Sequence, residues 1–467
     1  MHSLNPDKDL PKDFDEKREG YYKELNLPLS PEKFVTALQG KLKKSLLMLN
    51  KNIPKNVKVN VLEKKNGWIC ISPSAAQPDP PNLHLIKNEI SKKWSMINLL
   101  DIIKETFLRV PMMKHFKSVA SREMLTEDQL QKRVILAIYG LGTNTGLKRV
   151  AVGNREENYR NLFHVYQNYI TKDSLKNAIS ELVNAVFRAR DPKIWGNATT
   201  ACASDSTHFG AWDQNLMTEW HNRYHGRGVM IYWHVEEKSV CIHSQLKRCS
   251  SSEVSAMIEG VLRHCTEMEI EKNYVDTHGQ SVVAFAFCHL LGFKLFPRIK
   301  NIHSQRLHLP SMDLASELKN LKPILSKRSI NWDLITQQYD EMIKYATALK
   351  LGTAETEAIL KRFTKYNVKH PTYLALCELG KVVKTIFLCE YLANENMRIE
   401  ANSGLNVTEN WNGANNFILF GKGQEFASNN IEHQEITSLS LHLIQNSLTY
   451  INTLMFQDIL NRKKWFD

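Results

Sequence analysis

Apolar residues recur at helical spacing between residues 31 and 50, where Phe34, Leu38, Leu42, Leu46 and Leu47 alternate with lysines. That spacing predicts an amphipathic helix. The pattern then changes period. VKVNVLEKKNGWICIS (57–72) alternates apolar and polar positions on both sides of Asn66-Gly67, and predicts a β-hairpin. The first thirty residues mix charges and prolines without a period, and AAQPDPPN (75–82) reads as a rigid linker. Helical patterns return over 84–105, 126–140 and 156–189.

The middle of the chain predicts strands. TTACASDST (199–207) is a short β-like run ending in an acid. GVMIYWHVEE and SVCIHSQL follow, joined by a turn near Glu237-Lys238, and so pair antiparallel. Ser251-Ser252-Glu253 opens a helix. EKNYVDT is a fourth strand ending in an acid, GQSVVAFAFCHLLG is a helix stopped by Gly292, and FKLFPRI is a fifth strand. The order is β-β-β-α-β-α-β. Residues 310–403 read as helical throughout, as does the apolar tail from about 425 to 461. The expected segments are 1–82 (helix, hairpin and Pro-rich linker), 83–195 (helical DNA-binding or scaffold region), 196–309 (first part of an α/β core), 310–403 (helical insertion) and 404–467 (helices completing the core).

Composition narrows the function. The chain has 467 residues and a formal net charge of +12. No apolar run approaches the roughly 20 residues of a membrane span, and the N-terminus lacks the apolar core of a secretory signal. The eight cysteines are scattered without a CxxC pair, which suits reduced core thiols. The positive surplus points to an anionic partner, with nucleic acid favoured over a membrane.

The acids give the charge a use. In a sheet of ribonuclease H type, the β-β-β-α-β-α-β order places strand four beside strand one. Asp205 and Asp276 would then meet at neighbouring strand ends. Paired carboxylates repel unless a cation or proton intervenes. Mg²⁺ takes oxygen ligands and shares itself between one or two carboxylates and substrate phosphates. A pair of such ions suits phosphodiester chemistry. A third acid is expected on a helix after strand five. The pattern leaves Glu390, Glu400, Glu409 and Glu425 open.

These segments resemble a known family. GLGTNTGLKR (140–149), WGNATTACASDSTHFGAWDQ (195–214), RYHGRGVMIYWHV (223–235), the stretch 270–302 around YVDTHGQ, SGLNVTENWN (403–412) and QPDPPNLHLIKNEISKKW (77–94) resemble, in order, the catalytic half of transposases of replicative, cointegrate-forming bacterial transposons, the Tn-three family. The resemblance implies a ribonuclease H-like core interrupted by a helical insertion. It implies Asp205, Asp276 and Glu409 as catalytic and metal-binding acids, and so chooses the third. It implies two Mg²⁺ ions, with Mn²⁺ as a substitute, for cleavage at transposon ends and attack of the freed 3′-hydroxyl on target DNA. It further implies transposon-end and target DNA as partners, a homodimer on paired ends, and a bacterial, cytoplasmic, nucleoid-associated location. Where many members read Gly-Gln-Arg-Phe after the first Asp, this chain reads Ser206-Thr207-His208-Phe209. The chain starts near the family's midpoint, so a truncated or partial protein lacking the repeat-binding half is expected. The alternative is a non-catalytic assembly partner or inhibitor of a full-length transposase.

DNA contacts are expected from the basic stretch 293–328. It carries Lys294, Arg298, Lys300, Arg306, Lys319, Lys322, Lys327 and Arg328 against Asp313 and Glu317. Arg298, Lys300 and Arg306 are the leading candidates there. Arg223, Arg227, His278 and Trp411 are further candidates. Trp212, Trp220 and Trp233 read as core residues, and His221 and His225 as neighbours on one helix face.

Overall fold

The computed structural model describes residues 10–467 except 65–66, 76–77, 95–96, 120–124, 155, 213–214, 216–217, 364–369, 427, 463–464 and 466–467, and describes only the backbone of His278. In chain order its principal elements begin with α1 (Pro31–Asn52), β1 (Val59–Leu62) and β2 (Trp68–Ile71). Helices α2 (Glu127–Gly142), α3 (Leu147–Gly153), α4 (Tyr159–Tyr169) and α5 (Lys172–Ala189) follow. Strands β3 (Ala201–Gly210), β4 (Glu219–His221), β5 (Gly226–Glu236) and β6 (Val240–Lys247) come next, then β7 (Lys272–Val275), α6 (Val282–Leu290) and β8 (Lys294–Pro297). The last are β9 (Leu307–Leu309), β10 (Leu325–Ser329), α7 (Pro371–Ala393), α8 (Glu395–Ile418) and α9 (Ile431–Leu460). The chain is of mixed α/β class. It divides into two compact units: Met1–Ala76 with Ser252–Leu262 and Ile270–Leu405, and Gln77–Ser251 with Arg263–Glu269 and Asn406–Asp467.

In the first unit, Ser30 caps α1 by accepting from the Lys33 amide, and Pro31 fills the first helical turn. Leu38, Leu42, Leu46 and Leu49 form its buried stripe, and α1 packs on α7. Helix α6 also lies on α7. Gly380 makes this crossing close, because a Cβ there would sit 1.8 Å from the Val282 carbonyl oxygen. Helix α6 joins β7 to β8, which pair in parallel. It ends as expected at Gly292, whose φ of +86° suits glycine. The hairpin forms as β1 against β2. Lys65 and Asn66 of its turn lie outside the described residues, while Gly67 has φ +107° and faces the Pro323 carbonyl.

In the second unit, β5 is the central strand. Strand β3 pairs antiparallel along one edge, and β4 and β6 pair along the other. Helix α9 is the unit's main support, packing on α2, α5, β6 and the helix Leu99–Arg109. It buries polar residues as well as leucines. His442 and Asn446, one turn apart, explain this. Asn446 exchanges hydrogen bonds with the Cys241 backbone at 3.1 and 2.8 Å. His442 Nε2 donates to the Cys241 carbonyl at 3.0 Å, and its Nδ1 accepts from the Ser244 hydroxyl at 2.8 Å. These bonds tie the helix to β6 where an apolar face would only slide.

Several expectations need correction. Residues 84–105 form two helices, Leu83–Lys93 and Leu99–Arg109, the second capped by Asn98. Residues 156–189 likewise split into α4 and α5, because Thr171 starts a capping box with Ser174. The stretch 310–403 is not wholly helical, since β10 pairs in parallel with β9 through Leu325 and Leu307. Strand β4 was missed altogether. It places His221 on a strand, with His225 in the turn beyond it at φ +50°, so the two do not share a helix face.

Candidate active site

Asp205 does not end its strand. It is the fifth of ten residues of β3 and lies opposite Trp233 of β5, while Ser206, Thr207 and His208 continue the ladder opposite Tyr232, Ile231 and Met230. The expected strand ends at the acid. Beyond it the alternate residues Thr207 and Phe209 are nevertheless buried, and cross-strand pairing sustains the strand. Asp205 itself is half-buried.

Glu409 is exposed on α8. One turn further along, Asn412 Nδ2 donates to Asp205 Oδ2 at 3.4 Å, and the Thr207 hydroxyl donates to Asn412 Oδ1. Trp233 Nε1 donates to Thr207 Oγ1 at 3.2 Å. A chain of polar contacts thus runs from the β5 tryptophan through Thr207 to Asn412 and the Asp205 carboxylate. It fixes the helix bearing Glu409 over the strand bearing Asp205, all within the second unit. Asn412 and Thr207 were not singled out in the sequence. The available signal was a polar side chain three residues beyond the acid, on the same helical face.

Asp276 directly follows β7 in the first unit, half-buried, with an extended backbone (ψ 179°) and no capping bond from its side chain. The same unit holds Glu400, which pairs with Lys272 at 2.8 Å and accepts from the Tyr274 hydroxyl. Its carboxylate is held below the usual range, because those contacts outweigh the opposing effect of burial. Glu400 is therefore committed to a structural pair. Gly404, one turn on, touches the Tyr274 ring, since a Cβ would lie 2.5 Å from it.

The DNA-contact candidates divide. Lys300 is exposed and Arg298 half-buried, the latter with its amide donating to the Val275 carbonyl at 2.9 Å. Arg306 is half-buried, and its guanidinium bonds the Ser304 and Gln305 carbonyls at 3.1 and 3.0 Å. Lys294, Lys319, Lys322, Lys327 and Arg328 are exposed. Arg223 is exposed, its guanidinium 5.6 Å from the Tyr224 ring centre, whereas Arg227 is half-buried and donates to the Thr218 carbonyl at 3.0 Å. The His278 side chain lies outside the described residues. Trp411 is a correction: it is 4% exposed and packs edge-on against Trp233 and His442 at 6.0 and 6.1 Å. It faces the core because its neighbour Glu409 faces out. Trp233 is buried as expected, but Trp212 and Trp220 are more than half exposed.

The motif GLGTNTGLKR has a structural task. Gly142 lets α2 meet α9, where a Cβ would lie 2.8 Å from the Ser440 backbone. Asn144, at φ +59°, donates to the Gly421 and Glu425 carbonyls at 3.3 and 2.8 Å, and Thr143 accepts from the Gly421 amide at 2.9 Å. The motif therefore clamps the loop that follows α8.

Among the described residues, no three His, Cys, Asp or Glu side chains lie close enough together to hold a metal ion. No helix among them is long and apolar enough to cross a membrane. A family model described as the Tn3 transposase DDE domain matches residues 101–466, and the chain belongs to that family. It is 30% identical over 332 residues to the transposase of transposon Tn1546 from Enterococcus faecium, a match covering 71% of this chain and 33% of that protein. It is 27% identical to the transposase of Tn21 from Escherichia coli, covering 74% of this chain and 34% of that protein. It is 24% identical to the gamma-delta transposase of Escherichia coli K12, covering 94% of this chain and 44% of that protein. The chain thus spans a third to under half the length of these relatives.

Proposed function

We propose that this chain is the catalytic part of a DDE transposase, with a ribonuclease H-like core, acting on transposon-end and target DNA. In this reading Asp205, Asp276 and Glu409 are the catalytic acids. The observation that carries it is the Asn412–Asp205 hydrogen bond, which seats the helix of the third acid against the strand of the first. The family match and the order of the acids support it.

The donor set is carboxylate oxygen throughout, which suits a hard cation such as Mg²⁺, with Mn²⁺ as a substitute. The metal is proposed on that chemistry. Bound there, a pair of divalent ions would supply charge stabilisation for in-line phosphoryl displacement. The protein's own part is positional. Asn412 holds one oxygen of Asp205. Helix α8 presents Glu409 at the surface, where DNA can reach it. Exposed cations of the 293–328 stretch would take phosphates, with a binding constant that falls as salt rises. A homodimer on paired ends belongs to the same reading.

The test is nicking of labelled transposon-end DNA in Mg²⁺, by this chain alone and with a full-length relative supplied in trans. Asp276→Asn should abolish nicking without lowering the melting temperature. Unchanged nicking by that variant would sink the assignment. A chain that suppresses the relative's nicking, with or without its acids, would instead be an inhibitor or assembly partner.

A further inference from the structure

The second unit holds a recess of about 540 Å³ beside the clamp made by residues 140–149. That volume suits a nucleotide-sized guest. One wall is aromatic: Tyr159, Phe163 and Tyr166 fall on one face of α4. The first two rings stack at 5.5 Å and 26°, and the next pair stands at 6.0 Å. These rings are not core. Tyr159 is 37% exposed, and the other two are half-buried.

Cations line the same recess. Lys148 and Arg149 project from α3, and Lys422 from the loop after α8. All three are exposed, and no described carboxylate pairs with them. Lys148 Nζ lies 5.4 Å from the Tyr159 ring centre. Lys422 sits at φ +49° and Gly423 at φ +67°, a conformation that the Asn144 clamp holds in place. Desolvation of its ammonium, with the Arg149 charge adding to it, lowers the Lys422 pKa.

We propose that this recess captures an unstacked nucleotide of single-stranded DNA, with the base against Tyr159 and Phe163 and the flanking phosphates on Lys148, Arg149 and Lys422. A stacking platform beside a basic track is the general solution for single strands. A duplex base keeps its faces covered by its neighbours and cannot use the rings. The chain's +12 charge favours a polyanion over a free mononucleotide. The inference rests on the transposase reading for its substrate, and adds a strand-holding site built from other residues.

The test is fluorescence anisotropy of the intact chain with a labelled thymidine dodecamer, without metal, against duplex DNA of equal length. Tyr159→Leu and Phe163→Leu should each weaken single-strand binding by roughly tenfold, and leave duplex binding within about twofold. Lys148→Gln with Arg149→Gln should flatten the salt dependence of single-strand binding. Photocrosslinks from 5-iodouracil in the strand should map to Tyr159 or Phe163. Parental binding by the leucine variants, or crosslinks elsewhere, would overturn the proposal. Displacement of the strand by micromolar thymidine monophosphate would assign the recess to free nucleotides and overturn it too. Because binding is read without metal, it separates from nicking. Lost nicking in Asp276→Asn with parental binding by the leucine variants defeats this inference alone. The expected binding pattern without any nicking defeats the transposase reading and leaves the recess.

Discussion

Asn412 Nδ2 lies 3.4 Å from Asp205 Oδ2, across 207 residues of sequence, and stands one turn beyond Glu409 on α8. Its oxygen accepts from the Thr207 hydroxyl, and a flipped amide would set that oxygen against the Asp205 carboxylate, which only accepts. On the proposed assignment, Asn412 positions Asp205.

Asn412→Ala should therefore lower end-nicking about 10–100-fold, the usual cost of losing an outer-shell partner, and raise the Mg²⁺ concentration needed for half-maximal activity. Its melting temperature should stay near that of the parent. A variant with parental metal dependence would show that the bond does not orient Asp205.

Two glycines of α8 should respond in opposite directions. Gly404→Ala forces a Cβ to 2.5 Å from the Tyr274 ring, and overpacking of this kind costs about 1–3 kcal/mol. Gly413 has nothing within 4 Å of its missing Cβ, so Gly413→Ala should gain up to about 1 kcal/mol from helix propensity. Urea unfolding reads both.

Trp411→Ala should cost about 3–5 kcal/mol, because it empties a buried site between Trp233 and His442. Trp411→Phe should keep parental DNA affinity. A specific loss of affinity in the phenylalanine variant would return Trp411 to the DNA surface.

The pH dependence of stability should show His442. Burial pushes its pKa down to about 4, opposed only weakly by its bond to the Cys241 carbonyl. In its neutral form both ring nitrogens are satisfied, Nε2–H by that carbonyl and Nδ1 by Ser244. The unfolded chain takes up this proton near pH 6.5 and the folded chain only near pH 4. Stability is therefore full above about 6.5 and falls as pH drops toward 4, by on the order of 3 kcal/mol at the low end. Urea midpoints between pH 7 and 4.5 should show a shallower fall in His442→Gln than in the parent.

Much of the element content was legible in the sequence. The Phe34-to-Leu47 stripe, the alternation around Gly67, the Gly292 stop and the GVMIYWHVEE–SVCIHSQL pair all follow from local period, caps and backbone freedom. Those are properties of a few adjacent residues. Other features belonged to tertiary structure. The expected strand ends at Asp205, yet β5 lies alongside Ser206-Thr207-His208 and makes them strand. Trp411 reads as a residue beside the site, yet α8 turns it inward. Glu400 and Glu409 have the same chemistry and share a helix, and Lys272 and Tyr274 hold the first of them in a pair that no local pattern shows. The sequence by itself determined which residue types were available and which short segments were helix or strand. The tertiary structure decided which carboxylate was held by Asn412, which tryptophan was buried, and which cations gathered beside the α4 rings. The reason is physical: such partners stand far apart along the chain, so no local pattern encodes their meeting.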